Sequence, residues 1–379
     1  MLWTAATLVA LALVAGASVY CVLTLVAVRS YLRQPVARAR GVTPISVLKP
    51  LYGAEAGLES LLATFFTQEY PNYELIFAVR TGSDPAAAVV RRLSEAHPHV
   101  PSRLILTGEP EWPNAKVWSL ERMTAEARFE LLALCDSDIG VGPDFLRRMA
   151  GEFENPGLAL TTCPYRAVPG RGLWSTLEAM GANTEFLSGV MVARLLEGMR
   201  FAVGPTIVAR RQAIAAIGGW ARVKDYLAED FMLGRLAAGA GLGVGLSRYV
   251  VDHHIGGTAM RENFTHRLRW CRSTRCSRPA GYVGQVFTNP TPLILLLLAL
   301  APHWWPVCAA AAALRAAAAW ATAGPVLRDP LTARRWWLLP VQDLLSCLFW
   351  AAGFFGNTIR WRGRQYVLHP DGRFTPTTR

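Results

Sequence analysis

The sequence is short of acid, and its charge is unevenly placed. Residues 2–28 carry no charged side chain. No Asp or Glu follows until Glu55, whereas Arg29, Arg33, Arg38 and Arg40 crowd the stretch between. An uncharged run of this length is roughly 40 Å long as a helix, enough to cross a bilayer with some tilt. No Lys or Arg precedes the run and it is too long for a signal h-region, which argues against a cleaved signal peptide. The arginines that follow place residue 29 onward on the cytoplasmic side. Cysteine is sparse: the seven (21, 135, 163, 271, 276, 308 and 347) include no CxxC pair. A zinc site and a disulfide framework are therefore not expected, and reduced thiols suit a cytoplasmic domain. Helix-turn-helix, zinc-finger and RNP patterns are missing too. The net charge of +12 is thus assigned to anionic lipid and an anionic substrate, with no nucleic-acid partner. There is no internal repeat and no low-complexity linker.

Beyond the basic linker, 29–43, apolar strands alternate with helical patterns. "PISVLKPL", "YELIFAVR", "SRLILTG" and "FELLALCD" read as strands. "LESLLATFF", "PAAAVVRRLSEA" and "KVWSLERMTAEA" read as the intervening helices. This βαβαβαβ order predicts a mainly parallel, Rossmann-like α/β sheet, and ligands on such sheets bind at the carboxyl ends of the strands. Asp136 and Asp138 stand at one such end, Asp84 at another. Further on, "LALTTCPYR" and "GVGLSRYVVDH" read as strands. "WSTLEAMGANTEFLSGVMVARLLEGM" reads as a long helix, either in the core or at a membrane surface. "LAEDFMLGRLAAGAG" is a helix opened by Glu229 and Asp230, where helix-dipole capping alone would favour acids.

A second membrane region follows. Residues 286–327 are almost uncharged, Arg315 excepted, and predict a transmembrane hairpin turning near "PHWWP". Residues 328–335 form a basic cytoplasmic loop. The apolar stretch 336–359 contains Pro340, Gln342 and Asp343 and is flanked by basic residues. An acid at mid-bilayer costs about 2.5–3.5 kcal/mol, so this stretch is expected to be re-entrant or interfacial and the tail, 360–379, cytoplasmic. The expected organisation is therefore a helix over 1–28, the linker, a catalytic domain over 44–285, and the C-terminal membrane region.

"LLALCDSDIGVGP" (131–143) puts two carboxylates, Asp136 and Asp138, at the end of an apolar strand. Like charges so placed need a positive partner. A hard divalent cation takes oxygen ligands and bridges carboxylates to substrate phosphates, so Mg²⁺ or Mn²⁺ on Asp136 and Asp138 would bring a diphosphate with it. Asp84, in "GSDP", is either ordinary turn chemistry or a contact to the nucleotide. In "HRLRW", Arg267 and Arg269 suit phosphate and Trp270 offers an apolar face; a juxtamembrane basic patch reads equally well.

In order, "SVLKPLYG", "RTGSDP", "CDSDI", "GPTIVARR…IGGW", "LAEDF" and "HRLRW" make the chain resemble membrane glycosyltransferases of GT-A fold, over about residues 44–280. Within these it resembles the ceramide glucosyltransferase group. "DYLAEDFMLG", "VVDHH" and the tail "IRWRGRQYVLHPDGRF" bring it nearest to the bacterial hopanoid N-acetylglucosaminyltransferases. The resemblance implies that Asp84, Asp136 and Asp230 are the group's three aspartates and that its (Q/R)xxRW motif falls on His266, Arg269 and Trp270. His266 departs from that pattern, and Arg267 is the expected substitute. It further implies an inverting transfer from a UDP-sugar to a membrane-lipid hydroxyl, with Asp230 as general base. Asp84, Asp136, Lys49, Lys116, Arg267 and Arg269 would contact the nucleotide sugar, and Trp270 the acceptor. The implied pair is UDP-GlcNAc and bacteriohopanetetrol, at a bacterial inner membrane crossed more than once, with the active site cytoplasmic. A ceramide glucosyltransferase using UDP-glucose is the alternative. A processive polysaccharide synthase fits less well, because the C-terminal membrane region is small for a polymer channel. All three acids and the Arg-Trp pair are present, which speaks against a dead scaffold.

Overall fold

The computed structural model describes residues 2–37, 39, 41–55, 57–257, 259–361 and 364–377. They form two compact units. A sheet unit comprises residues 35–165, 199–256 and 372–379, and a helical unit comprises 1–34, 166–198 and 257–371.

The sheet unit is built on β1 (Ile45–Pro50), β2 (Tyr73–Val79), β3 (Ser102–Leu106) and β4 (Leu131–Cys135). β1, β2 and β4 are buried at every residue, which is why they read as unbroken apolar runs rather than as alternating ones. The seven-stranded sheet runs β3-β2-β1-β4, then Thr206–Arg210, Leu158–Thr162 and Gly243–Leu246. The first four strands are parallel. Thr206–Arg210 runs antiparallel to both its neighbours, a reversal that apolar patterning could not foretell. Helices Leu58–Phe66, Pro85–Ala96 and Ala115–Glu126 connect the parallel strands as expected. The order reverses at β1, with β2 on one side and β4 on the other. The carboxyl ends of β1 and β4 therefore flank the topological switch point, where open α/β sheets bind ligands.

In the helical unit, Leu2–Leu32 packs on Pro290–Leu300 and on the helix that follows it through Ala10, Val14, Ala17, Leu293, Leu297 and Ala311. Small residues there let the backbones approach closely. Among the described residues two helices, Trp3–Leu32 and Pro302–Val326, are long and apolar enough to cross a membrane. Pro290–Leu300 is too short alone; with Pro279–Phe287 it forms a pair bent by 52°. Between Pro290–Leu300 and Trp305–Ala321 the chain passes through the short 3₁₀ turn Pro302–Trp304, within "PHWWP". The stretch Leu173–Glu197 is one helical run with a π-turn at Ala182–Phe186, mostly buried, and Tyr20 Oη lies 2.9 Å from Ser188 Oγ. It is a core element of the helical unit rather than a surface helix.

Within 336–359 the main helix is Leu339–Gly353, 15 residues, or roughly 22 Å at the α-helical rise, shorter than a bilayer core. Asp343 is fully buried and paired with Arg315, Nη2 to Oδ1 at 2.7 Å and Nε to Oδ2 at 3.1 Å. Thr291 Oγ1 donates to the same carboxylate at 2.8 Å. The two isolated charges in these apolar segments are partners. The insertion cost of a lone acid therefore does not bear on this stretch; helix length does. All seven cysteines are free.

Candidate active site

The acid-rich rim is built where β4 ends. Asp136 N donates to Pro205 O at 3.0 Å, extending the ladder with Thr206–Arg210 by one residue and fixing the start of Asp-Ser-Asp. The chain then enters Ile139–Gly140, which pairs antiparallel with Val251–Ile255 and sets His253 opposite Ile139. His254 N donates to Asp138 O at 2.9 Å. The turn carrying both aspartates is thus clamped on each side by backbone pairing.

Each aspartate has a different neighbour. Asp136 Oδ1 lies 2.6 Å from Lys116 Nζ, which also reaches Glu229 Oε1 at 3.0 Å. Asp138 Oδ2 lies 3.1 Å from His253 Nε2. Asp138 Oδ1 is buried with no hydrogen-bond partner. Burial pushes the Asp136 carboxyl above its usual range, against Lys116 and with Asp138 adding to it. Burial acts the same way on Asp138, but His253 and Lys49 outweigh it and hold Asp138 low. Burial would lower the Lys116 ammonium, yet the Asp136 and Glu229 carboxylates more than reverse this.

Asp230 follows Glu229 in the first turn of Glu229–Gly239. Its carboxyl is raised to about 7, first by burial, then by the charge of Glu229, with Lys116 opposing. Two glycines make room for it. A Cβ on Gly204 would lie 2.7 Å from Asp230 Oδ2, and a Cβ on Gly234 would lie 2.3 Å from the backbone of Phe201 and Ala202. The helix bearing the acid therefore seats directly on the 201–204 backbone. Asn114 ties the rim together. Its Oδ1 caps the helix Ala115–Glu126 by accepting from Lys116 N and Val117 N, while its Nδ2 donates to Tyr226 O at 2.9 Å and Glu229 Oε2 at 3.2 Å.

Asp84 is the N-cap of Pro85–Ala96, accepting from Ala86 N, and also accepts from Gly53 N at 3.0 Å. It is a turn residue that also pins the loop after β1. Lys49 lies beneath the Asp-Ser-Asp turn. Expected at the nucleotide, it is fully buried, donates to Asp136 O at 2.8 Å and lies 3.8 Å from the Phe65 ring centroid. Burial lowers its ammonium to about 8. It supports the Asp-Ser-Asp turn from beneath, because its backbone belongs to an entirely buried strand.

"HRLRW" lies on the helix Met260–Ser277 of the helical unit. His266, Arg269 and Trp270 share a face at i, i+3 and i+4; Arg267 does not. His266 Nδ1 is 2.8 Å from Glu178 Oε1, and the His266 and Trp270 rings are 4.5 Å apart. Arg267, expected to substitute for His266, instead donates to Ser346 Oγ at 2.9 Å and lies 4.4 Å from the Phe349 ring centroid. Helical periodicity turns it away from the motif face. Sequence reasoning missed Glu229, Asn114 and Glu178. Cross-sheet and cross-helix pairings set all three.

Among the described residues no three His, Cys, Asp or Glu side chains converge as a complete metal cage. The unpartnered Asp138 oxygen and the paired Asp136 carboxylate nonetheless fit a hard divalent ion that draws its remaining ligands from substrate phosphates.

Comparison with known proteins agrees with this architecture. Ceramide glucosyltransferase 1 of Caenorhabditis elegans is 26% identical over 230 residues, 60% of this chain and 49% of that protein. Ceramide glucosyltransferase of Komagataella phaffii is 30% identical over 112 residues, 28% of this chain and 22% of that protein. The chain thus spans about half the length, or less, of these curated relatives. A mannosyltransferase from Pyrobaculum calidifontis, solved with GDP-Man and Mn²⁺, superposes with a TM-score of 0.55 at 19% identity, covering 90% of this chain and 98% of that one. It shares the Rossmann-like glycosyltransferase fold. Residues 7–374, nearly the whole chain, match a single family, and the chain belongs to glycosyl transferase family 21.

Proposed function

We propose that this transferase moves a sugar from a UDP-sugar to the hydroxyl of a membrane lipid with inversion, N-acetylglucosamine and bacteriohopanetetrol being the first pair to test. The observation that carries the reading is the rim at the switch point, where Asp136, Lys116, Glu229 and Asp230 form one connected charge network beside Asp138. Mg²⁺ or Mn²⁺ bound through Asp136 and Asp138 would supply Lewis-acid stabilisation of the leaving diphosphate. The mannosyltransferase of like fold was solved with Mn²⁺.

Asp230 then takes the acceptor proton. A carboxyl raised to about 7 is matched to that work near neutral pH, and general bases contribute about 10²–10⁴-fold. Lys116 keeps Asp136 oriented and offsets the crowded acids. Lys49 and His253 fix the Asp-Ser-Asp turn. Asp84 holds the loop after β1, where a nucleotide would lie. From the resemblance alone, Arg269 is carried forward as a diphosphate contact and Trp270 as an acceptor contact. Basic residues after the first apolar helix support a sheet unit that faces the cytoplasm, in this reading at a bacterial inner membrane.

Glucose transfer from UDP-glucose to ceramide is the second reading, favoured by the names of the curated relatives. Purified protein in detergent with each UDP-sugar and each lipid decides between them. The proposal expects UDP release that depends on lipid and a glycosylated hopanoid of matching mass. A product found only with ceramide selects the alternative, and no UDP release with any pair overturns both.

A further inference from the structure

The last described residues rejoin the sheet unit after a long excursion through the helical unit. They pair there with the segment just ahead of Glu229 and Asp230. Phe374 N donates to Asp225 O at 2.9 Å, and Leu227 N donates to Gly372 O at 3.4 Å. Tyr226 and Arg373 form an antiparallel bridge between these bonds. The Arg373 guanidinium lies 5.6 Å from the Tyr226 ring centroid, with Nε 3.4 Å from Tyr226 Oη. Phe374 is fully buried.

The segment so held is a connection rather than a sheet strand. Segments of this kind open at low cost unless something orders them. It matters to the rim because Tyr226 O accepts from Asn114 Nδ2, the amide that also bonds Glu229 and whose Oδ1 caps the helix bearing Lys116. Asp230 comes four residues after Tyr226. An unbroken set of contacts therefore runs from Phe374 and Arg373 through residues 225–227 to the carboxylates.

We propose that residues 372–376 are a positioning element for Asp230, a segment of the same chain that pairs with residues 225–227 and orders residues 225–230. Arg373 and Phe374 act through that segment and touch no reacting atom. The inference rests on Asp230 being the base. Its physical consequence, order in 225–230, stands apart from any substrate. Misplacement of a reacting group by about 1 Å costs about 100-fold in rate, so loosening the segment should lower kcat by about tenfold or more while donor KM changes by less than about threefold.

The test is Phe374→Ala, with Phe374→Leu and Arg373→Ala beside it, in the full-length chain. Hydrogen–deuterium exchange and steady-state UDP release are both measured. The expected result for Phe374→Ala is faster exchange across 225–230, unchanged exchange across 131–135, and the kcat loss just stated. Phe374→Leu should restore most of both, and Arg373→Ala should fall between. Unchanged exchange across 225–230 in Phe374→Ala overturns the proposal. So does a loss of protection that extends through 131–135 and is not restored by leucine, which marks Phe374 as general core. If the wild-type protein releases no UDP from any sugar nucleotide, the assigned activity fails while the exchange measurement still decides the role of the tail.

Discussion

Two of the buried ion networks among the described residues are built to opposite ends. In the helical unit Arg315 and Asp343 form a closed pair. Both are buried, both carboxylate oxygens are paired with the guanidinium, and Thr291 adds a further bond. In the sheet unit Lys116 is shared between Asp136 and Glu229, Asp138 keeps an unpartnered oxygen, and Asp230 adds one more acid. The first network is complete as it stands and serves structure. The second has more acid than base; in the proposed function an added cation and a proton taken up on Asp230 would complete it. A deficit of this kind is a mark of function, since perturbed carboxylates gather where chemistry is done.

The most direct way to break the comparison is to alter the open network's base. Asp230→Asn keeps the size and removes the proton acceptor. We expect transfer to fall by about 10²–10⁴-fold, with UDP-sugar binding by calorimetry nearly unchanged. Retention of more than about a tenth of the wild-type rate would assign the base elsewhere. Chelation tests the missing cation. EDTA followed by dialysis should abolish transfer, and Mn²⁺ or Mg²⁺ should restore it. Asp136→Ala and Asp138→Ala should weaken Mn²⁺ binding, as read by electron paramagnetic resonance in the presence of UDP. Full activity in chelator would contradict this.

The closed network makes the converse prediction. Asp343→Leu strands a buried guanidinium and should cost about 3–5 kcal/mol, whereas Asp343→Leu with Arg315→Met removes both charges and should be near neutral. Thermal unfolding in detergent measures both. Equal losses in the single and double variants would mean that the pair is not a closed unit.

Much of the fold was legible in the sequence. β1, β2 and β4 are continuous apolar runs because both their faces are covered, and the helices between them announce themselves by Pro85 at a first turn and by Leu58, Leu61, Leu62 and Phe65 at helical spacing. The direction of Thr206–Arg210 was not legible, since a period of two says nothing of polarity. Nor was the grouping of 166–198 and 257–285 with the apolar helices, although these residues read as part of a domain over 44–285. Their apolar faces fit either partner equally well. At the rim the acids were visible from their strand ends. Asn114 and Glu229 were not, because their importance arises from contacts across more than a hundred residues. Lys49 was expected at the nucleotide, although its neighbours in "SVLKP" are those of a buried strand. Arg267 was misread because phosphate chemistry was weighed without helical periodicity.

The smallest predicted effect is also the sharpest test of charge crowding. Asp230 is raised to about 7 by burial and by Glu229. A base must be unprotonated to act, so kcat/KM should rise with pH through an acid limb above the ordinary carboxylate range. Glu229→Gln removes the neighbouring negative charge and leaves Lys116 with Asp136 as its main counter-ion. Both changes favour ionised Asp230, so its pKa falls and the limb moves to lower pH. The variant's rate at pH 6 relative to pH 8 should therefore exceed the wild-type ratio, even if its absolute rate is lower through a looser Lys116. The measurement is kcat/KM for UDP release from pH 5.5 to 8.5 at fixed Mn²⁺. A limb that stays in place would show that burial alone sets Asp230. A limb that moves to higher pH would show that Glu229 serves Asp230 by holding Lys116 near it, making the shared lysine rather than the surplus of acid the feature that distinguishes this network from the closed pair.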